Sequence, residues 1–222
     1  MGGKRIAVAL DGLSDRQALG LADRLGKRAG SYKVGLELYT RYGPGLPRRL
    51  GERGLGVFLD LKFHDIPATV CRAVGAACWL GPSFLTVHAS GGPEMLRRAV
   101  EGRGESPTRL LAVTVLTSEG GRGVARRAER LAVQAFEAGF DGVVASAREV
   151  ERIKSLCGNE FIVVVPGIRQ AVLPGDDQKR TATPAEAIRA GADLLVIGRP
   201  ITRAEDPREA FEAIAAEIRN AR

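Results

Sequence analysis

Residues 9–20 read ALDGLSDRQALG and join a strand-like run to a helix-like one. An open, doubly wound nucleotide-binding sheet would place a GxGxxG turn at this junction, and no such spacing occurs here. The fold therefore has to be read from what recurs outside this stretch. Short β-branched runs appear at RIAVALDG (5–12), SYKVGLE (31–37), GVFLDLKF (56–63), SFLTVHAS (83–90), LLAVTVLTS (110–118), DGVVASA (141–147), FIVVVPGI (161–168) and DLLVIGRP (193–200). Between them lie Ala-, Arg- and Glu-rich segments of helical period, such as AERLAVQAFEAG (128–139) and TPAEAIRAG (183–191), several of which end in Gly. Eight strands alternating with helices predict a parallel sheet, and near-continuous apolar strands predict burial on both faces. Divided among eight units, 222 residues give about 28 per unit, which suits a compact (β/α)8 TIM barrel of the α/β class. No linker or compositional break divides the chain, so residues 1–222 are expected to form a single catalytic barrel domain.

Bulk composition narrows the function classes. A hydrophobic fraction of 45% and a charged fraction of 27% are those of an ordinary globular protein. No apolar run reaches the roughly 18 residues that span a bilayer, so no membrane role is expected. The start, MGGKRIAVALDG, passes straight from basic residues into a strand without a cleavage-site pattern, which predicts a cytoplasmic location. Cys71, Cys78 and Cys157 form no CxxC pair and read as buried, reduced thiols. The net charge of +7 is scattered in short pairs such as Arg48–Arg49 and Arg126–Arg127, not the concentrated footprint of a nucleic-acid binder. Only six of the 33 basic residues are lysines. A chain that relies so heavily on Arg should keep Lys where a proton must be released, because guanidinium titrates above about 12. Lys33 and Lys62 both sit in apolar strand-like runs.

In a TIM barrel the C-terminal strand ends build the site. Here they carry Asp11; Lys33 with Glu37; Asp60, Lys62 and Asp65; His88 with Ser90; Thr117 with Ser118; Ser146; Pro166 to Arg169; and Gly198–Arg199. Asp60 and Lys62 are two apart on a strand and should face the same side, with Asp65 just past the strand end. An ammonium between carboxylates is a fixed positive charge with a transferable proton. VIGRPIT (196–202) places Gly and Arg before a helix start, a phosphate-binding pattern. The seventh connection, PGIRQAVLPGDDQKRTATP (166–184), is long enough to read as a lid. His64 and His88 show no metal-ligand spacing and read as packed side chains.

The segments ALD, YKVGLELYT, DLKFHDIPATV, TVHASGG, VTVLTS, VPGIR…GDDQKR and GADLLVIGRPIT span residues 9–202 in order. Together they resemble the bacterial type of orotidine 5′-phosphate decarboxylase. The resemblance implies conversion of orotidine 5′-monophosphate to UMP and CO2, with neither metal nor organic cofactor. It implies that Lys62 stabilises the C6 carbanion and supplies the proton, with Asp60, Asp65 and Lys33 completing the charged set. Asp60 would either repel the departing carboxylate or position Lys62. Asp11 and Lys33 would meet the ribose hydroxyls, and Thr117 or Ser118 the pyrimidine. Arg169, Gln178, Gly198 and Arg199 would hold phosphate. It also implies a homodimer in which Asp65 and Thr69 reach into the partner's site. Ala68 departs from the Asn common in relatives. The DxKxxD core also occurs in Mg2+-dependent sugar-phosphate decarboxylases and synthases of the same barrel family, the alternative reading. A silent nucleotide-binding barrel is a third.

Overall fold

All eight strand-like runs become parallel strands in the computed structural model, which describes residues 2–116, 119–169 and 181–221. The strands are β1 (Ile6–Ala9), β2 (Ser31–Gly35), β3 (Val57–Phe63), β4 (Phe84–His88), β5 (Arg109–Val113), β6 (Gly142–Val144), β7 (Ile162–Val165) and β8 (Leu194–Ile197). They pair in chain order, and β8 closes on β1. The expected (β/α)8 barrel is thus the observed one. Around it run α1 (Asp15–Leu25), α2 (Leu36–Tyr42), α3 (Gly45–Glu52), α4 (Pro67–Cys78), α5 (Gly92–Arg103), α6 (Val124–Glu137), α7 (Val150–Cys157), α8 (Pro184–Arg189), α9 (Arg199–Thr202) and α10 (Pro207–Asn220). No helix among the described residues is long and apolar enough to cross a membrane.

Local chemistry explains where the helices begin. Ser14 and Gln17 form a reciprocal capping box before α1, and Thr183 and Glu186 do the same before α8. Each side chain satisfies a backbone N–H that the first turn leaves unpaired. The strands are shorter than the runs that predict them, and β5 shows how such a run ends. The run 110–118 leaves the ladder after Val113, and both the amide and the hydroxyl of Thr114 donate to the Val144 carbonyl, at 3.1 and 2.9 Å.

Alternation along the strands divides the core in two. Ala7, Phe58, Phe84, Leu111, Val164 and Leu194 form an apolar cluster inside the barrel. Their neighbours, such as Val8, Val34, Leu59 and Leu85, pack outward against the helices in a larger cluster. Each buried aliphatic or aromatic side chain contributes about 1.5–3 kcal/mol. The inner cluster also has a functional consequence, because it makes a dry floor beneath whatever occupies the strand ends.

The helix after β3 is held by close backbone approach. A Cβ on Gly102 of α5 would lie 2.2 Å from the Cys71 carbonyl oxygen of α4, and one on Gly75 of α4 would lie 3.2 Å from the Gly102 carbonyl oxygen. Gly102→Ala is therefore expected to lose about 1–3 kcal/mol in urea unfolding. Gly20 lies on the exposed face of α1, where an added methyl group would have nothing within 4 Å. Gly20→Ala should gain about 0.5–1 kcal/mol. Equal shifts in the two variants would contradict the assigned helix contact.

Candidate active site

Above the apolar floor the interior becomes polar within one layer. In the barrel register Lys33 pairs with Ala9 and Phe58, and Gly35 with Asp60, so β2 delivers its ammonium beside the β3 carboxylate. Lys33 Nζ lies 2.8 Å from Asp11 Oδ2 and 3.2 Å from Asp60 Oδ2. Lys62 Nζ lies 2.8 Å from Asp60 Oδ1. The four charges alternate in a row, Asp11–Lys33–Asp60–Lys62, along the wall of a cavity of about 680 Å³. Arg169, Gly198 and Arg199 line the same cavity from the β7 and β8 side.

Burial is unequal along the row and decides its electrostatics. Asp60 and Lys33 are 8% and 7% exposed, whereas the Asp11 side chain is 47% exposed. Burial pushes the Asp60 carboxyl up, but Lys33 and Lys62 outweigh it and hold the group below its ordinary value. Burial pulls Lys33 down, and here Asp60 and Asp11 prevail, holding its ammonium above the ordinary lysine value. Both buried groups are therefore charged at neutral pH. Gly35 makes the approach possible, since a Cβ there would sit 2.4 Å from Asp11 Oδ1 and 3.1 Å from Lys33 Nζ.

Asp60 and Lys62 do share the interior, but not by simple pleating. Leu59 pairs with Leu85 and Phe63 with Val87, so four steps on β3 match two on β4. The surplus forms a bulge. Lys62 takes φ 50°, the sole positive φ at a non-glycine among the described residues, a conformation that costs about 1–2 kcal/mol. Its backbone N–H donates to Thr86 Oγ1 at 2.9 Å, and that hydroxyl donates to Asp60 Oδ1 at 3.1 Å. Sequence reasoning passed over Thr86. The available signal was a hydroxyl two residues before His88 in an otherwise apolar strand, on the face of the inner cluster.

Other sequence candidates fall elsewhere. Asp65 is exposed and accepts the Ile66 N–H at 2.7 Å; no ion pair joins it to Lys62 in its own chain among the described residues. Asp65 lies in the short link between β3 and α4. Thr69, half-buried on α4, does not line the cavity. Ser146 is occupied in a capping box with Glu149. Glu37 accepts the Gly12 N–H at 3.1 Å at the cavity edge. His88 is half-buried, but His64 is exposed, not packed as its sequence suggested; their rings meet at a tilt with centroids 5.6 Å apart, and burial, then His64 and Lys62, lower the His88 pKa. Arg203, not singled out from sequence, also lines the cavity. Thr117, Ser118 and Gln178 lie outside the described residues. Cys71 is half-buried, more open than its sequence suggested, while Cys78 and Cys157 are buried. Among the described residues no three His, Cys, Asp or Glu side chains converge to hold a metal ion.

Comparison with known proteins finds relatives that match nearly the whole chain. The family described as "Orotidine 5'-phosphate decarboxylase / HUMPS family" matches residues 4–214. A curated protein of Moorella thermoacetica named orotidine 5'-phosphate decarboxylase is 49% identical, over 96% of this chain and 92% of its own. One of the same name from Thermobifida fusca is also 49% identical, over 96% and 95%. The crystal structure of orotidine 5'-phosphate decarboxylase from Lactobacillus acidophilus superposes with a TM-score of 0.83 at 38% identity, covering 96% of this chain and 98% of that one.

The charge row makes stability depend on pH in a defined direction. Asp60 contributes fully above the ordinary carboxylate value of 3.8, and the contribution is lost as pH falls through its lowered folded value. Lys33 contributes fully below its ordinary 10.5 and loses this as pH rises through its raised folded value. Wild type should exceed Asp60→Asn in urea stability by about 1–3 kcal/mol at neutral pH. That gap should stay flat down to about pH 4 and close only below it. A gap that widens on acidification would contradict the depressed Asp60.

Proposed function

The chain belongs to the orotidine 5′-phosphate decarboxylase family, and from that membership we propose how its residues carry the reaction. The reaction is decarboxylation of orotidine 5′-monophosphate to UMP and CO2. The observation that carries the residue assignment is the row Asp11–Lys33–Asp60–Lys62, set in a nucleotide-sized cavity over an apolar floor.

Breaking the bond from C6 to its carboxylate leaves an electron pair in the ring plane, where the pyrimidine π-system cannot spread it. Stabilisation then has to come from charge already in place. Lys62 is the group we assign. Its ammonium is pinned at 2.8 Å by Asp60, so little reorganisation is needed when negative charge develops at C6. The same ammonium then delivers the proton to C6, and Lys62 regains one from solvent after product leaves. No cofactor is assigned a step. Asp60 is engaged on both oxygens, by Lys62 and Thr86 on Oδ1 and by Lys33 on Oδ2. That engagement favours positioning of Lys62 over direct repulsion of the leaving carboxylate as its main role.

Asp11 and Lys33 fit the ribose hydroxyls, because Asp11 is the open end of the row. Arg169, Gly198 and Arg199 fit the phosphate at the far wall, with Thr117 and Gln178 assigned by family analogy to the pyrimidine and the lid. Phosphate binding energy spent on closure would then serve a reaction several ångströms away.

Among the described residues of its own chain Lys62 has one carboxylate neighbour, Asp60. We assign a second to Asp65 of the partner in a homodimer, with Thr69 contributing beside it. Exposed Leu36, Ile66 and Leu116 follow β2, β3 and β5 at this same end and support an apolar rim for such an interface. The free thiols of Cys71, Cys78 and Cys157 support a cytoplasmic setting.

Purified protein should consume orotidine 5′-monophosphate at an undiminished rate with EDTA present, followed by loss of substrate absorbance. A strict Mg2+ requirement would favour the sugar-phosphate branch of the barrel family. Lys62→Ala should lower kcat by more than about 1000-fold while retaining UMP binding in calorimetry; near-wild-type turnover would refute its role. Inactive Lys62→Ala and Asp65→Ala proteins, mixed and allowed to exchange subunits, should recover roughly a quarter of wild-type activity, because half the dimers then hold one intact composite site. No recovery despite exchange would place Asp65 outside the partner's site.

A further inference from the structure

We infer that Thr86 is a positioning residue for Lys62, acting on its backbone and its ammonium at once. The inference rests on the assignment of Lys62 made above and goes beyond it to the group that aims the lysine.

Thr86 is fully buried on β4, and its hydroxyl has both hydrogen-bond roles determined by its neighbours. A backbone N–H can only donate, so Thr86 Oγ1 accepts from Lys62 N at 2.9 Å. An ionised carboxylate can only accept, so the Thr86 proton points to Asp60 Oδ1 at 3.1 Å. The same Oδ1 receives the Lys62 ammonium at 2.8 Å. The contacts close a ring: Lys62 N–H to Thr86, Thr86 O–H to Asp60, and Lys62 Nζ to Asp60. One hydroxyl therefore ties the backbone end of the lysine to the same carboxylate that holds its ammonium.

The bulge gives this ring its purpose. Where β3 carries four residue steps against two on β4, the ladder cannot pair every amide, and Lys62 stands at φ 50° in that gap. Its N–H would be left without a partner in a poorly solvated place. Thr86 supplies the acceptor from the neighbouring strand, and so stabilises the one backbone conformation that points the side chain into the cavity. A valine at this position has the same shape and none of these contacts. Thr86 need not touch substrate for this effect, since a displacement of the reacting group of about 1 Å is enough to cost roughly 100-fold in rate.

Thr86→Val and Thr86→Ser test the inference with Lys62→Ala as a control. In Thr86→Val, kcat should fall about 10- to 100-fold while UMP affinity by calorimetry changes less than about threefold. Thr86→Ser, which restores the hydroxyl alone, should recover kcat to within about threefold of wild type. Should the valine variant fail to fold, Thr86→Cys offers a weaker hydrogen-bonding group of similar size, and its kcat should fall while UMP affinity holds. Wild-type kcat in whichever of these variants folds, or a serine variant as slow as valine, would overturn the role of Thr86. Equal losses in kcat and UMP affinity would also overturn it, marking a structural contact only. Retained turnover in Lys62→Ala would instead remove the premise, which separates failure of the site assignment from failure of this inference.

Discussion

A single buried carboxylate, that of Asp60, constrains the architecture around it. Taking a charge out of water costs several kcal/mol unless partners replace the lost hydration. Among the described residues Asp60 has three, and each comes from a different structural solution: Lys33 from the adjacent β2, Lys62 from the bulge of its own strand, and the Thr86 hydroxyl from β4. Three consecutive strands must be in register for these groups to meet. The closed barrel enforces that register mechanically, because no strand can slide without breaking the ring.

The same arrangement accepts local costs. Lys62 adopts a backbone conformation unusual for a residue with a side chain, and Gly35 gives up a side chain so that Asp11 can reach Lys33. Strain of this sort persists where surrounding contacts over-determine it. On the mechanism proposed above, which develops a localised negative charge, the benefit is an ammonium already oriented before substrate arrives. The outer core of Val, Leu and Ile against the helices supplies the stability that the charged layer does not.

Much of this was visible in the primary structure, though unevenly. The alternation of apolar runs with helical segments announced the barrel, and the absence of GxGxxG after the first strand removed its main competitor. The charged residues of the first three strand ends were also legible, because carboxylates and ammoniums inside apolar runs have few structural uses. Ser146, placed at a strand end by the same pattern, closes a helix cap. Asp65 was legible as a charge next to Lys62, yet among the described residues of its own chain it makes no ion pair with it and accepts the Ile66 N–H instead. Thr86 and Gly35 were not singled out at all, since Thr is an ordinary strand former and Gly an ordinary turn residue.

By itself the sequence determined the period of the elements, and hence the barrel, and it determined which chemical groups crowd its first three strand ends. Those are properties of single residues and near neighbours, which hydrophobic burial and side-chain chemistry decide locally. Only the tertiary structure decided how the groups are joined. Asp60 and Lys62 meet through a bulge and a left-handed backbone, held by a hydroxyl 24 positions away from Lys62. Such a contact depends on the register between two strands, and register is a collective result of ring closure and packing that no short stretch of sequence encodes.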